Sequence, residues 1–472
     1  MFSENELMNP PCYNNLQYFL TLPNEQWWVG TNDSKDFNQI ATDKFNQFYR
    51  FYCTYDYYPQ VLLVEPDPVY FLASFIAAVA ANCPIFLGNP HWQELEWQQV
   101  FAQVKPDIIL GEVSVKSPTV FNYNPQNLAH FIMIPTGGSS GQIKFAVHTW
   151  ETLTASVQGF QQYFQRSKIN SYCVLPLYHV SGLMQFIRSF TTGGKLIIQS
   201  FNQIKQGDFI ETNPSNFFIS LVPTQLQTLL KIPQSTLWLS QFNTVLLGGA
   251  PAGSELLTEA RDHQICLAPT YGMTETASQI VTLKPIDFLA GYQNSGQVLP
   301  HAKIEINSPE SQELEFNQTG SIQIKSKSLM WGYFSSSFNP KTRINQLNSD
   351  DLGYLDKQGY LTVIGRNSDK IITGGENVFP TEVEAIIRAT DQVKEVCVIG
   401  LPDTYWGQIV TAVYIPKIPE VELDILKASL TGKLSKYKHP KLWIAVDKIP
   451  YNPQGKINRK QLQLWVKTLK ND

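Results

Sequence analysis

Long hydrophobic runs, paired cysteines and blocks of like charge are what this 472-residue sequence is short of. With 36 Lys and Arg against 40 Asp and Glu, a net charge of −4, and no basic stretch, it is a poor match for nucleic acid or an anionic membrane as main partner. That balance does not exclude small anions. Cys12, Cys53, Cys83, Cys173, Cys266 and Cys397 are scattered, with no C-x-x-C pair and no histidine at ligand spacing. Neither a zinc site nor a disulfide framework is indicated, and a reducing compartment is expected. The opening MFSENELMNP carries two glutamates and no basic residue, and no apolar run follows, which argues against a secretory signal. Only 69–88 tempts a membrane reading. Its helical part, 69–81, is too short to span, and Asn82 and Pro84 break it before the strand-like 85–87. Internal repeats and low-complexity segments are missing as well.

What is present is ample apolar content, 43% of the residues, spread over a length that suggests two or three domains. Helix-like 92–104 followed by strand-like 107–110 has the alternation of an α/β domain. The chain is organised around 131–148, FIMIPTGGSSGQIKFAVH, where a glycine-serine loop separates two strand-like runs. Glycines let backbone N–H groups converge on one point, Ser139 and Ser140 add hydroxyl donors, and Lys144 adds charge, a combination suited to a triphosphate. No register provides a Walker A motif. Gly137–Gly141 does match G-x-S-x-G, with Ser139 as a would-be hydrolase nucleophile, but an elbow runs from a strand directly into a helix, and 143–147 is rich in strand formers. An ordinary flexible turn is the plainest alternative for the loop taken alone.

Beyond a predicted helix over 150–164, a strand over 172–177 leads into Tyr178-His179-Val180-Ser181-Gly182, and Arg188 follows on a largely apolar segment. Strand ends in open α/β sheets gather ligands, which makes His179 and Arg188 site candidates against a structural histidine and a surface cation. Two further strand-to-turn segments, 243–253 and 267–278, repeat that design. In the second, Tyr271 offers a ring for a base, Thr274 a hydroxyl for phosphate and Glu275 a carboxylate for Mg²⁺. Each is also an unremarkable turn or helix-cap residue.

The loop at 136–144, YGMTET at 271–276, Gly365-Arg366 and Gly455-Lys456 occur in the order found in adenylate-forming enzymes, and the chain resembles that superfamily over nearly its whole length. YGMTETASQ, LLGGAPAG and LPLYHVSGLMQFIR at 175–188 are most similar to the o-succinylbenzoate–CoA ligase family of menaquinone and phylloquinone synthesis. The resemblance implies a large N-terminal α/β domain, 1–365, with β-sheets and flanking helices, and a small mobile C-terminal α+β domain, 366–472. It implies ATP, Mg²⁺ and coenzyme A as cofactors and co-substrates, a small-molecule acid as partner, and a cytoplasmic enzyme that does not enter membranes. Self-association stays open.

By the same resemblance, Ser139, Ser140, Gly141 and Lys144 hold the β- and γ-phosphates, and Thr136 and Gly272 also bind ATP. Gly249, Ala250, Pro251 and Tyr271 flank adenine, Thr274 and Glu275 meet the α-phosphate and Mg²⁺, and Asp351 and Arg366 bind ribose. Lys456 serves adenylation, Ser368 is the hinge, Gly374 and Gly375 line the pantetheine tunnel, and His179, Ser181 and Arg188 receive the acid. Four positions depart from the common pattern. Gly137 stands in place of Ser or Thr, Ile143 in place of Pro, Asp350 in place of a glycine, and Ser368 in place of a hinge Asp or Lys. Asp350 and Asp351 both remain candidates for ribose.

Overall fold

The structure is a computed structural model that describes residues 13–21, 27–29, 34–114, 128–137, 142–335, 337–418, 423–451 and 457–469. Its most apolar helix, Pro68–Ala80, starts where Asp67 accepts from the N–H groups of Val69 (2.9 Å) and Tyr70 (3.0 Å), with Pro68 in the first turn where its missing N–H costs nothing. Nearly every side chain of that helix is buried, so it is a core helix, and the strand Ile85–Leu87 follows at once. Among the described residues, no helix is long and apolar enough to cross a membrane.

Two sheets carry the first 366 residues. One runs in the order Gly332–Tyr333, Ile143–His148, Ile132–Gly137, Ile85–Leu87, Val61–Leu63, Ile108–Leu110, the last four strands parallel and the first two antiparallel. The other begins with six parallel strands, from Trp28–Val29 through Ser171–Cys173 and Thr244–Leu247 to Leu267–Met273. It continues antiparallel through Ser278–Thr282 and Tyr360–Arg366 to Ala302–Asn307. Helices Trp150–Phe164 and Val180–Thr192 lie between them. Their Leu153, Val157, Phe186 and Phe190 join Leu63, Leu87 and Ile134 of the first sheet to Cys173 and Leu196 of the second in one buried cluster. This is the α/β architecture expected from the sequence.

A smaller sheet follows, with Ile371–Thr373, Glu376–Val378, Val393–Asp403, Gly407–Pro416 and Leu442–Ala445, packed by helices Pro380–Arg388, Leu423–Leu430 and Arg459–Leu469. Its two apolar clusters draw only on residues from 371 onward, and the other described clusters stop at Val363. The two units meet through a turn at 367–370, closed by Asp369 N–H to the Arg366 carbonyl (3.3 Å).

Some element ends differ from expectation. The strand read over 172–177 is only Ser171–Cys173, because Pro176 has no N–H to extend the ladder and its carbonyl instead closes a turn with the His179 N–H (3.2 Å). Gly365 and Arg366 close the strand Tyr360–Arg366, so the strand runs one residue past the expected domain boundary at 365. Thr274–Thr276 is a single 3₁₀ turn, stopped by Ala277 in the left-handed region (φ 51°), and not the start of a helix.

Candidate active site

The hairpin at 132–148 sets the phosphate side. Thr136 pairs with Lys144 and Gly137 with Ile143, so strands flank the loop on both sides and no helix begins before Trp150. That removes the strand-to-helix elbow a hydrolase built on Ser139 requires. Ser139, Ser140 and Gly141 themselves lie outside the described residues. A third strand, Gly332–Tyr333, pairs with the hairpin at Val147 and Ala146, and the N–H groups of Trp331 and Phe334 reach the carbonyls of Val147 (2.7 Å) and Phe145 (2.8 Å). This pairing sets the Tyr333 ring 5.2 Å from Lys144 Nζ and lets the Tyr333 hydroxyl donate to Glu275 Oε1.

Glu275 is 9% exposed, and its backbone carbonyl accepts from Met330 N–H (2.9 Å). The neighbouring Thr274 carbonyl accepts from His148 Nε2 (2.8 Å), while His148 Nδ1 lies 3.0 Å from Thr152 Oγ1. Burial pushes His148 down to about 4, so it stays neutral and serves as a fixed donor. Among the described residues, no cluster of three His, Cys, Asp or Glu forms a self-sufficient metal site. One buried carboxylate is nonetheless what Mg²⁺ needs when it is held mainly by water and substrate phosphates, so the residues present fit that ion.

At the end of the strand Leu267–Met273, Tyr271 Oη donates to Asp351 Oδ2 (2.8 Å), and Arg366 Nε sits 3.5 Å from Asp351 Oδ1. Asp351 and Arg366 face each other across the strand pair. Asp350 turns the other way. Its carboxylate accepts the Ser368 N–H (3.1 Å) and the Ser368 hydroxyl, so Asp351 joins Tyr271 and Arg366 while Asp350 ties the connector. Burial and Asp351 hold the Tyr271 phenol above its usual range, keeping it a donor. Gly249, Ala250 and Pro251 are exposed just past Thr244–Leu247, whose parallel neighbour leads to Tyr271. Gly272 sits at a bulge where an added Cβ would lie 2.2 Å from the Ser278 carbonyl oxygen.

Arg188 is the chemically most unusual residue of the acid side. It is 2% exposed, its Nη2 donates to Gln279 Oε1 (2.7 Å) and Ser278 Oγ (3.1 Å), and its guanidinium lies 4.3 Å over the Phe160 ring. Nε has no hydrogen-bond partner, and among the described residues no carboxylate pairs with it. Burial pushes Arg188 down to about 9. Burial, reinforced by the Arg188 charge, also keeps His301 neutral at about 4, its ring pressed against Gly159. His179 and Ser181 occupy the start of the same helix. At 1.5 Å per residue they stand roughly 13 and 10 Å from Arg188 along the axis, so the three do not converge on one point.

In the C-terminal unit, Gly374 and Gly375 form the turn of a hairpin with φ of 58° and 84°, and Gly374 N–H donates to the Trp406 carbonyl (2.9 Å). A Cβ at Gly374 would lie 2.8 Å from the Trp406 ring, so the position demands glycine twice over. Lys456 and Gly455 lie outside the described residues. The sequence reading missed His148, Gln279, His301 and Tyr333. All reach the site by tertiary pairing, and only Gln279, next to YGMTETAS, carried a local signal.

A two-sheet α/β unit with a phosphate-type hairpin, a tyrosine-aspartate-arginine group and a small trailing domain defines a class. The AMP-binding enzyme model matches residues 122–334 and its C-terminal domain model residues 382–456, and the chain belongs to the AMP-binding enzyme family. It is 32% identical over 423 residues to the 2-succinylbenzoate–CoA ligase of Listeria monocytogenes, covering 85% of this chain and 88% of that one, and 34% identical to that of Listeria innocua with the same coverage. The fold matches o-succinylbenzoate CoA synthetase from Bacillus subtilis in complex with its acyl-adenylate intermediate, with a TM-score of 0.78 at 24% identity over 95% of this chain and 98% of that one. ATP-bound MatB from Rhodopseudomonas palustris gives 0.79 at 21% identity, with 97% and 99% covered.

Proposed function

We propose that this chain is a cytoplasmic, AMP-forming acid–CoA ligase. It activates o-succinylbenzoate as an acyl-adenylate, with release of pyrophosphate, and transfers the acyl group to coenzyme A, in menaquinone or phylloquinone biosynthesis. The observation that carries the choice of acid is Arg188, a buried cation whose hydrogen bonds among the described residues go to one hydroxyl and one amide oxygen. o-Succinylbenzoate has a second carboxylate that is not activated and must be received somewhere dry. A charge-assisted hydrogen bond to a guanidinium answers that need, and a monocarboxylic acid leaves it unanswered.

In this reading Tyr271 supports the adenine and Asp351, oriented by Tyr271 and Arg366, accepts the ribose hydroxyls. Lys144, with Thr136, Ser139, Ser140 and Gly141, neutralises the outer phosphates, and Thr274 and Lys456 meet the α-phosphate. Mg²⁺, received by Glu275, supplies charge neutralisation on the phosphate oxygens. The succinyl carboxylate attacks the α-phosphorus in line, a step governed by positioning and charge. Rotation at Ser368, between a large domain 1–365 and a mobile domain 366–472, would then remove Lys456 and bring Gly374 and Gly375 to the pantetheine channel.

Acid-dependent ATP–pyrophosphate exchange across a panel of aryl and acyl acids tests the proposal. Exchange fastest with o-succinylbenzoate is expected, and a faster monocarboxylic acid would overturn the substrate. Lys456→Ala should cost about 10²-fold or more in adenylation while sparing thioester formation from supplied acyl-adenylate.

A further inference from the structure

Tyr333 bridges two groups that the proposed reaction uses separately. Its hydroxyl donates to Glu275, and its ring faces Lys144 Nζ at 5.2 Å. No other hydrogen bond reaches the Glu275 carboxylate among the described residues, so the phenol alone fixes which way that carboxylate turns. The phenol is itself held from both sides. Its strand pairs with Ala146 and Val147 of the phosphate hairpin, and three residues earlier Met330 N–H binds the Glu275 carbonyl. Tyr333 is 38% exposed, so the bridge it makes is open to solvent on one side.

We infer that Tyr333 is a positioning residue for the reaction: it presents the Glu275 carboxylate to the divalent cation that arrives with ATP and anchors Lys144 beside the outer phosphates. This rests on the reading of Glu275 as the metal-receiving carboxylate. A carboxylate free to rotate offers its oxygens to the ion only part of the time, whereas one hydrogen-bonded on a single oxygen keeps the other turned outward. Residues that orient a ligand in this way typically change metal affinity by about 10- to 100-fold when removed. The ring contributes separately, because a cation over an aromatic face is attracted whether or not the hydroxyl is present.

The experiment measures Mn²⁺ binding to the enzyme–ATP complex by the loss of the free Mn²⁺ electron paramagnetic signal, and metal-free ATP binding by calorimetry. Tyr333→Phe keeps ring and fold and should weaken Mn²⁺ about tenfold with metal-free ATP affinity unchanged. Tyr333→Leu removes the ring as well and should also weaken metal-free ATP, by about two- to fivefold. In a Glu275→Gln background, Tyr333→Phe should have no further effect on Mn²⁺. If Glu275→Gln weakens Mn²⁺ while Tyr333→Phe does not, the positioning role is overturned and the metal reading of Glu275 stands. If Glu275→Gln leaves Mn²⁺ binding intact, both fall together. A Tyr333→Phe effect that persists without the Glu275 carboxylate would show the hydroxyl acting elsewhere and would overturn the inference.

Discussion

Two arginines, a buried one in the large unit and a partly buried one in the C-terminal unit, are solvated in opposite ways. In the C-terminal unit Arg459 Nη2 donates to Glu384 Oε1 (2.6 Å) and Nη1 lies 3.7 Å from Asp369 in the connector. Burial alone would lower the pKa of Arg459, but Glu384 and Asp369 outweigh it and raise it. In the large unit Arg188 has an amide oxygen and a hydroxyl in place of carboxylates, and burial pushes it down to about 9. The first arginine has its counter-charges within the chain and acts as structure. The second is left short of an anion, which a fold does not sustain cheaply unless something else gains from it. In the proposed reading, a diacid substrate is what gains.

The sharpest way to break this contrast is Arg188→Gln. A charged hydrogen bond contributes on the order of 1.5 to 3 kcal/mol, so kcat/KM for o-succinylbenzoate should fall roughly 10- to 150-fold, with little change for an analogue lacking the ring carboxylate or for ATP. Steady-state kinetics on both acids decide it, since equal losses would make Arg188 structural. Arg188→Lys should recover little, because an ammonium lacks the planar fork.

Gln279→Glu attempts the reverse and turns Arg188 into a second Arg459. With its counter-charge built in, the guanidinium should lose about tenfold in kcat/KM for the diacid while the thermal midpoint holds or rises. A gain in diacid activity would count against the ligand role of Arg188.

Removing the structural arginine should do something different. Arg459→Leu takes the shortest partner from Glu384, which is 2% exposed, and leaves it Arg388 Nη2 (3.3 Å) and the Val398 N–H (2.8 Å), whereas a fully buried pair broken outright loses about 3 to 5 kcal/mol. Arg459 retains 22% side-chain exposure, so about 2 kcal/mol is expected. Denaturant unfolding should register it, and the preference for diacid over analogue should stay unchanged.

The smallest effect is on pH. A base whose pKa is lowered in the folded state carries its burial penalty below that pKa and loses it as pH rises toward the unfolded value, so this term makes the fold relatively more stable as pH rises above about 9. Diacid recognition runs the other way, because it needs the protonated guanidinium. The ratio of kcat/KM for diacid over analogue should be flat to pH 8 and about fourfold lower by 9.5, and Arg188→Gln should abolish that slope.

Much of this protein can be read without its structure wherever chemistry is local. The glycine-serine loop between strands, the proline-led helices and the ordered motifs from 136 to 366 state their element types through periodicity and turn chemistry, and the hairpin, the helix Trp150–Phe164 and the C-terminal α+β unit follow. Arg188 was legible as a candidate because it follows a strand end, where ligands gather, on a largely apolar segment. Its partners were not, since Ser278 and Gln279 are 90 residues and more away along the chain. The choice between Asp350 and Asp351 was likewise invisible. Adjacent strand residues point to opposite faces, and only the pairing of Asp351 with Arg366 shows which carboxylate turns toward Tyr271.

The amino-acid order by itself determined the class of fold, the phosphate loop and the residue types available for adenylation, because each depends on neighbours within a few positions. Tertiary structure alone decided that Tyr333 meets Glu275, that Asp350 ties Ser368, and that Arg188 pairs with no carboxylate among the described residues. Those facts depend on strands and helices distant in sequence closing on one another, and on which charges burial leaves without a partner.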